Sequence, residues 1–135
     1  MQTKSTLSPY MAKKGRFWVD DLVVEELPTI VGAIATLVYI CLVRHADSKG
    51  RCFPSYRLIA KELHLARSSV VRHVAKLKDA GVIGVARRRS KAGDRTSNAY
   101  YLNPFREWLQ DIWDQEELWP DMDAYEEDEE LDPED

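Results

Sequence analysis

Between Arg67 and Arg95 the chain carries two groups of cations with different spacing. Arg67, Ser68, Ser69, Arg72, His73 and Lys76 share a segment in which Val70, Val74 and Leu77 recur at i, i+4 and i+7. Burying that apolar stripe turns the polar side chains outward. An arginine can bond the O6 and N7 of guanine together, and a serine hydroxyl suits a base edge or a phosphate. Arg67 and Arg72 are the leading base readers; Val71 either meets a thymine methyl or completes the core. Arg87, Arg88, Arg89, Lys91 and Arg95 then put five positive charges within nine residues. Such a run suits successive phosphates or a narrow minor groove. The competing reading is a solvated helix face followed by a solvated charge run.

Other chemistries find little support. Cys41 and Cys52 are too few for a disulfide scaffold and lack CxxC spacing, so both are expected reduced. His45, His64 and His73 fall on three different elements, with no cysteine or carboxylate expected at ligand spacing, so no metal site is expected. No nucleophile motif, phosphate-cradling glycine loop or paired-carboxylate site is present, which argues against an enzyme and against a cofactor.

The net charge of −4 over 135 residues conceals a gradient. All 19 Lys and Arg lie at or before Arg106, where 8 acids leave +11; the remaining 29 residues hold 15 acids and no Lys or Arg. The positive portion suits a polyanionic partner. Ile30 to Val43 is a stretch of 14 residues interrupted only by Gly32 and Thr36, short of the roughly 20 needed to span a bilayer. A buried helix, a cytoplasmic and nucleoid-associated location and no membrane contact are expected. Met1 to Gly15 has no apolar run before a cleavage site, so no signal peptide is indicated.

The elements that would position these residues follow from local patterns. Residues 1–16 read as a loose basic arm. Phe17 to Leu27 lacks clean periodicity, and Pro28 with Thr29 is expected to open a long helix to about His45, the central beam of the core. Arg51 to Phe53 suits a short strand. Ser55 is placed to cap a helix from Tyr56 to Leu63. A turn at His64 to Ala66 leads into a helix from about Arg67 to Ala80, ended by Gly81. Val82 to Val85 and Ala99 to Leu102 suit two strands around a basic loop. Residues 17–103 are expected to form one domain.

The string Phe53, Pro54, Ser55, Tyr56, Ile59, Ala60, Leu63, Arg67, Ser68, Ser69, Val70, Arg72, Val74, Leu77, Gly81 and Ile83 resembles the bacterial winged helix-turn-helix domains of phage and plasmid regulators and replication initiators. Thr96, Ser97, Asn98, Tyr101 and Leu102 continue the likeness, which covers residues 30–103. The resemblance implies an α+β, mainly α fold with a β-hairpin wing. It also implies double-stranded DNA as partner, with helix 67–80 in the major groove, wing 87–97 on the backbone or minor groove, and Ser55 and Tyr56 at the same surface. His64 stands where the family usually has Gly, and Ala66 where it usually has Ser or Thr. Ala66 cannot cap through its side chain, so Ser68 or Ser69 is expected to do so, starting the helix two or three residues later.

Beyond Pro104, the residues Phe105, Trp108, Leu109, Ile112 and Trp113 follow i, i+3, i+4, i+7 and i+8 spacing, an amphipathic helix over 104–113. Its aromatic face can pack on its own domain or pair with a second copy, with the balance toward a homodimer. Residues 114–135 form an acidic tail expected to be disordered alone. Trp119 within it adds an aromatic suited to a basic protein partner, and the tail can also compete with DNA for the basic surface. Three functions remain open: a transcriptional regulator, a replication-initiation or partition accessory, and a protein-binding adaptor.

Overall fold

The computed structural model describes residues 15–88 and 98–117. The expected arm, the wing tip from Arg89 to Ser97 and the tail beyond Glu117 lie outside them.

Asp20 opens helix α1 (Asp21–Val31) by accepting from the Leu22 amide at 2.9 Å, the side-chain capping that a carboxylate supplies at a helix start. Val23, Leu27 and Val31 recur every fourth residue and are buried. The expected single helix from Pro28 to His45 is therefore two. Pro28 lies inside α1, and Gly32, at φ 93° and ψ 164°, breaks the chain before α2 (Ala33–His45). Val24, whose carbonyl Pro28 cannot bond, is 59% exposed and so open to water. The Gly32 carbonyl accepts both the Thr36 amide, at 3.1 Å, and the Thr36 hydroxyl, at 2.8 Å. Those bonds satisfy the buried threonine. α2 buries Ala35, Val38, Tyr39, Cys41, Leu42 and Val43, and it packs on α1, on both later helices of the domain and on the sheet, as expected of the central element.

Asp47 organises the next turn. Its carboxylate accepts from the amides of Lys49 at 2.8 Å and Arg51 at 2.9 Å, and these bonds, with the Arg51 charge, hold it below the usual carboxylate range. The turn delivers β1 (Arg51–Cys52). Ser55 then caps α3 (Tyr56–Leu63), accepting from the Leu58 amide at 3.0 Å. His64 adopts the left-handed conformation, φ 57° and ψ 44°, and ends α3. After it, α4 (Arg67–Ala80) starts at Arg67, with Ala66 as its cap residue and no side-chain capping bond. The later start at Ser68 or Ser69 does not occur: the Ser69 amide is taken by the Ala66 carbonyl at 3.0 Å. Gly81, at φ 87°, closes the helix as expected.

Val70, Val74 and Leu77 of α4 are buried together with Ile59 of α3 and the beam α2. Two further strands, β2 (Ile83–Ala86) and β3 (Ala99–Leu102), complete an antiparallel sheet of order β1-β3-β2. Ile83 faces Leu102 and Ala86 faces Ala99, while Cys52 faces Tyr100. Phe105 packs against Tyr39 with ring centroids 5.9 Å apart and the ring planes tilted by 45°.

A second unit starts at Arg106. Within it α5 (Phe105–Glu117, its first residue in the first unit) runs one turn past the expected end at Trp113. The Gln110 amide donates to Asp114 at 2.9 Å across that turn, and Gln and Glu there are good helix formers. Among the described residues, no helix is long and apolar enough to cross a membrane.

Candidate nucleic-acid interface

The first turn of α4 presents Arg67 and Ser68 to solvent, and Arg72 follows exposed one turn later. Ala66 offers no side-chain oxygen to the first amides of α4. The Arg67 guanidinium lies 5.3 Å from the centroid of the Tyr56 ring. Tyr56 in turn accepts a hydrogen bond from the Asn98 amide at 3.0 Å. Asn98, only 6% exposed, immediately precedes β3. One tyrosine thus joins the start of α4, the start of α3 and the base of the hairpin.

A second contact extends the same surface. The Arg88 guanidinium, just beyond β2, sits 4.4 Å from the Phe53 ring centroid. Phe53 is 44% exposed and is separated from Tyr56 only by Pro54 and Ser55. Arg87 is exposed beside Arg88. Arg67 of α4 and Arg88 at the hairpin base therefore lie against the single strip Phe53–Tyr56. Stacking on an aromatic face holds a guanidinium plane without using its N–H groups.

Other expected site residues are placed differently. Ser69 and His73 are half-buried and bonded to each other: the His73 Nδ1–H donates to the Ser69 carbonyl at 2.8 Å, with the Ser69 hydroxyl 3.3 Å from the same nitrogen. Lys76 is exposed, but its ammonium stands 3.6 Å from the position a Cβ on Gly32 would take, beside the α1–α2 break. Ser55 spends its hydroxyl oxygen on capping α3. Val71 is half-buried. Arg89, Lys91 and Arg95 lie outside the described residues. In α5, Phe105, Trp108 and Leu109 are buried, Ile112 is half-buried and Trp113 is 38% exposed; Trp119 lies outside the described residues.

Asn98 as a connector was not legible in the sequence, because its partner Tyr56 is 42 residues away and only the folded hairpin brings them together. Arg57 and Lys61, exposed on α3, also escape the sequence reading; their charge on a short capped helix was the available signal.

One expectation does not hold. His45 does have a cysteine and a carboxylate at ligand spacing: the ligand atoms of Cys41, His45 and Glu62 lie within 4.8 Å of one another. Cys41 and His45 are one turn apart on α2, and α3 brings Glu62 against them. His45 Nε2 is 2.8 Å from Glu62 Oε1, to which the Cys41 thiol donates at 3.4 Å. Burial of Glu62 favours its neutral form, yet hydrogen bonds from His45 and Cys41 and the neighbouring charges of His45 and Arg44 hold it below the usual carboxylate range. Burial, then the hydrogen bond to Glu62 and the Glu62 charge, pushes the Cys41 thiol up to about 12.

Helices α2, α3 and α4 followed by an antiparallel hairpin make the fold a winged helix-turn-helix. In agreement, residues 32–83 match the helix-turn-helix domain family. The chain is also similar to a solved structure described as a possible transcriptional regulator from Methanosarcina mazei Go1. That likeness has a TM-score of 0.56 and 17% identity over 77% of this chain and 88% of the other; at this identity it speaks for the fold. No curated protein matches the sequence.

Proposed function

We propose that the domain binds double-stranded DNA with sequence specificity and acts as a transcriptional regulator. The observation that carries this reading is the Arg67–Tyr56–Asn98 chain, which ties the exposed start of α4 to the base of the hairpin. A helix entering the major groove and a wing following the backbone must hold a fixed mutual position to engage one duplex. Arg67 and Arg72 read base edges from α4; Ser68 and Ser55 bond phosphates. Arg87, Arg88, Arg89, Lys91 and Arg95 neutralise backbone charge along the wing. The match to the helix-turn-helix family and the description of the Methanosarcina mazei neighbour support the regulatory role.

The test is fluorescence anisotropy on duplexes selected from a random library, with salt titration. Arg72→Ala is expected to cost about 1–3 kcal/mol and relax preference at one base pair. Arg88→Ala is expected to weaken all duplexes alike and to lower the salt slope by roughly one phosphate's worth. Duplex binding left intact in the Arg72→Ala, Arg88→Ala double variant would sink the reading. If loss of Trp113 and Trp119 then abolished activity, a protein-binding adaptor would take its place.

A further inference from the structure

We infer that Cys41, His45 and Glu62 form a binding site for a divalent transition metal of the zinc class, which clamps α3 to α2. Three features converge there. The set offers one sulfur, one nitrogen and one oxygen, a mixture that suits zinc and cobalt over the hard ions magnesium and calcium. The spacing is close to what a tetrahedral ion requires. Bonds of about 2.3 Å to sulfur and about 2.0 Å to nitrogen and oxygen place neighbouring ligand atoms roughly 3.3–3.5 Å apart. The observed separations are 3.4 Å from Cys41 to Glu62 and 2.8 Å from His45 to Glu62, with all ligand atoms within 4.8 Å of one another. Small side-chain rotations cover the difference.

The third feature is an open side. Cys41 and Glu62 border a cleft of about 420 Å³ whose other walls are Phe17, Leu37, Ile40, Arg44 and Leu63. Three protein ligands leave a fourth position for water or an exogenous ligand, and the cleft provides the space for it. On binding, the Cys41 thiol gives up its proton to solvent and binds as thiolate, while His45 binds as a neutral imidazole, its proton carried on Nδ1 and the Nε2 lone pair given to the ion. Arg44, whose Nη1 is 3.6 Å from Glu62 Oε1, is 54% exposed and so able to swing into water as the ion takes its place. α3 positions Tyr56 at its other end, so the metal would fix the element on which the helix-turn-helix surface is built.

The test is cobalt(II) titration of the full-length metal-free protein, read by absorption, followed by displacement with zinc(II). The expected result is a thiolate-to-cobalt charge-transfer band at one equivalent, intact in Cys52→Ser and absent in Cys41→Ser. His45→Ala and Glu62→Gln are expected to weaken zinc by more than the roughly 10–100-fold that loss of a group supporting a metal ligand costs. Arg44→Ala is expected to tighten it. Zinc should raise the melting temperature of the native chain and leave that of the His45→Ala variant unchanged. Should Cys41→Ser fail to fold by circular dichroism, the His45→Ala and Glu62→Gln titrations decide alone. No charge-transfer band, a band that survives loss of Cys41, or zinc affinity unmoved by His45→Ala and Glu62→Gln would overturn the site and leave the three residues as a hydrogen-bonded tie between helices. The outcome is read without DNA, so it stands apart from the fate of the DNA-binding assignment.

Discussion

Tyr56 and Asn98, 42 residues apart, are joined by a 3.0 Å hydrogen bond from the asparagine amide to the phenol oxygen. Tyr56→Phe keeps the ring under Arg67 and removes only the acceptor. Asn98 is 6% exposed, so its buried amide would lose that partner. The expected cost is about 1–3 kcal/mol in urea denaturation. Since the bond also fixes the hairpin base, the variant should lose DNA affinity, mainly through faster dissociation. A variant as stable as the native chain would show that the bond contributes nothing.

Cys52 and Tyr100 face each other in the β1–β3 ladder, and both are buried. Burial pushes each up to about 12, from 9.0 for the thiol and 10.0 for the phenol. The folded chain therefore holds these protons more tightly than the unfolded chain. Their contribution is fully present below about pH 9 and is lost as pH rises toward 12. Each unit of difference is worth about 1.4 kcal/mol, so a loss on the order of a few kcal/mol is expected between pH 9 and 11. Denaturation across that range should show the slope shrinking in the Cys52→Ala, Tyr100→Phe double variant. An unchanged slope would assign the alkaline loss to other groups.

The turn between α3 and α4 departs from the best local chemistry at two positions. His64 holds φ 57°, and Ala66 stands at the cap of α4 without a capping bond. A side chain in the left-handed region costs up to about 1–2 kcal/mol, less for His than for bulky residues. His64→Gly should stabilise the domain by roughly 0.5–1 kcal/mol after the entropy of glycine is discounted. Ala66→Ser should add about 1 kcal/mol by capping. Thermal melting of the two single variants and the pair checks both; a fall in melting temperature for either would contradict the geometry assigned to the turn.

The helix-turn-helix was legible because its signals are local. Ser55 caps, Val70, Val74 and Leu77 repeat, and Gly81 stops, each within one or two turns of the residue it governs. Failures came where one residue has two readings. Proline opens helices readily, which hid its place as the eighth residue of α1. Gly32 interrupts the apolar run, but only its φ of 93° in the fold makes it the end of one helix and the start of another. The Asp20 cap and the fourfold spacing of Val23, Leu27 and Val31 were available and outweighed it. The Cys41–His45 spacing was equally visible, but Glu62 joins them only through packing of α3 on α2, a relation no local pattern encodes.

The charge asymmetry gives the last prediction. Residues 1–106 carry +11, and the 22 residues after Trp113 hold 13 acids and no Lys or Arg. A tethered polyanion acts at high effective concentration and competes with duplex phosphates for the same arginines. Deleting residues 114–135 should therefore strengthen DNA binding, most at low ionic strength. The Debye length is about 30 Å at 0.01 M and about 3 Å at 1 M salt, so the difference between full-length and truncated chains should close as salt rises. Anisotropy titrations of both chains over that range measure it. Equal or weaker binding by the truncated chain at low salt would show that the acids do not compete. A difference independent of salt would trace the effect to removal of the last turn of α5, since a change in helix packing does not follow the screening length.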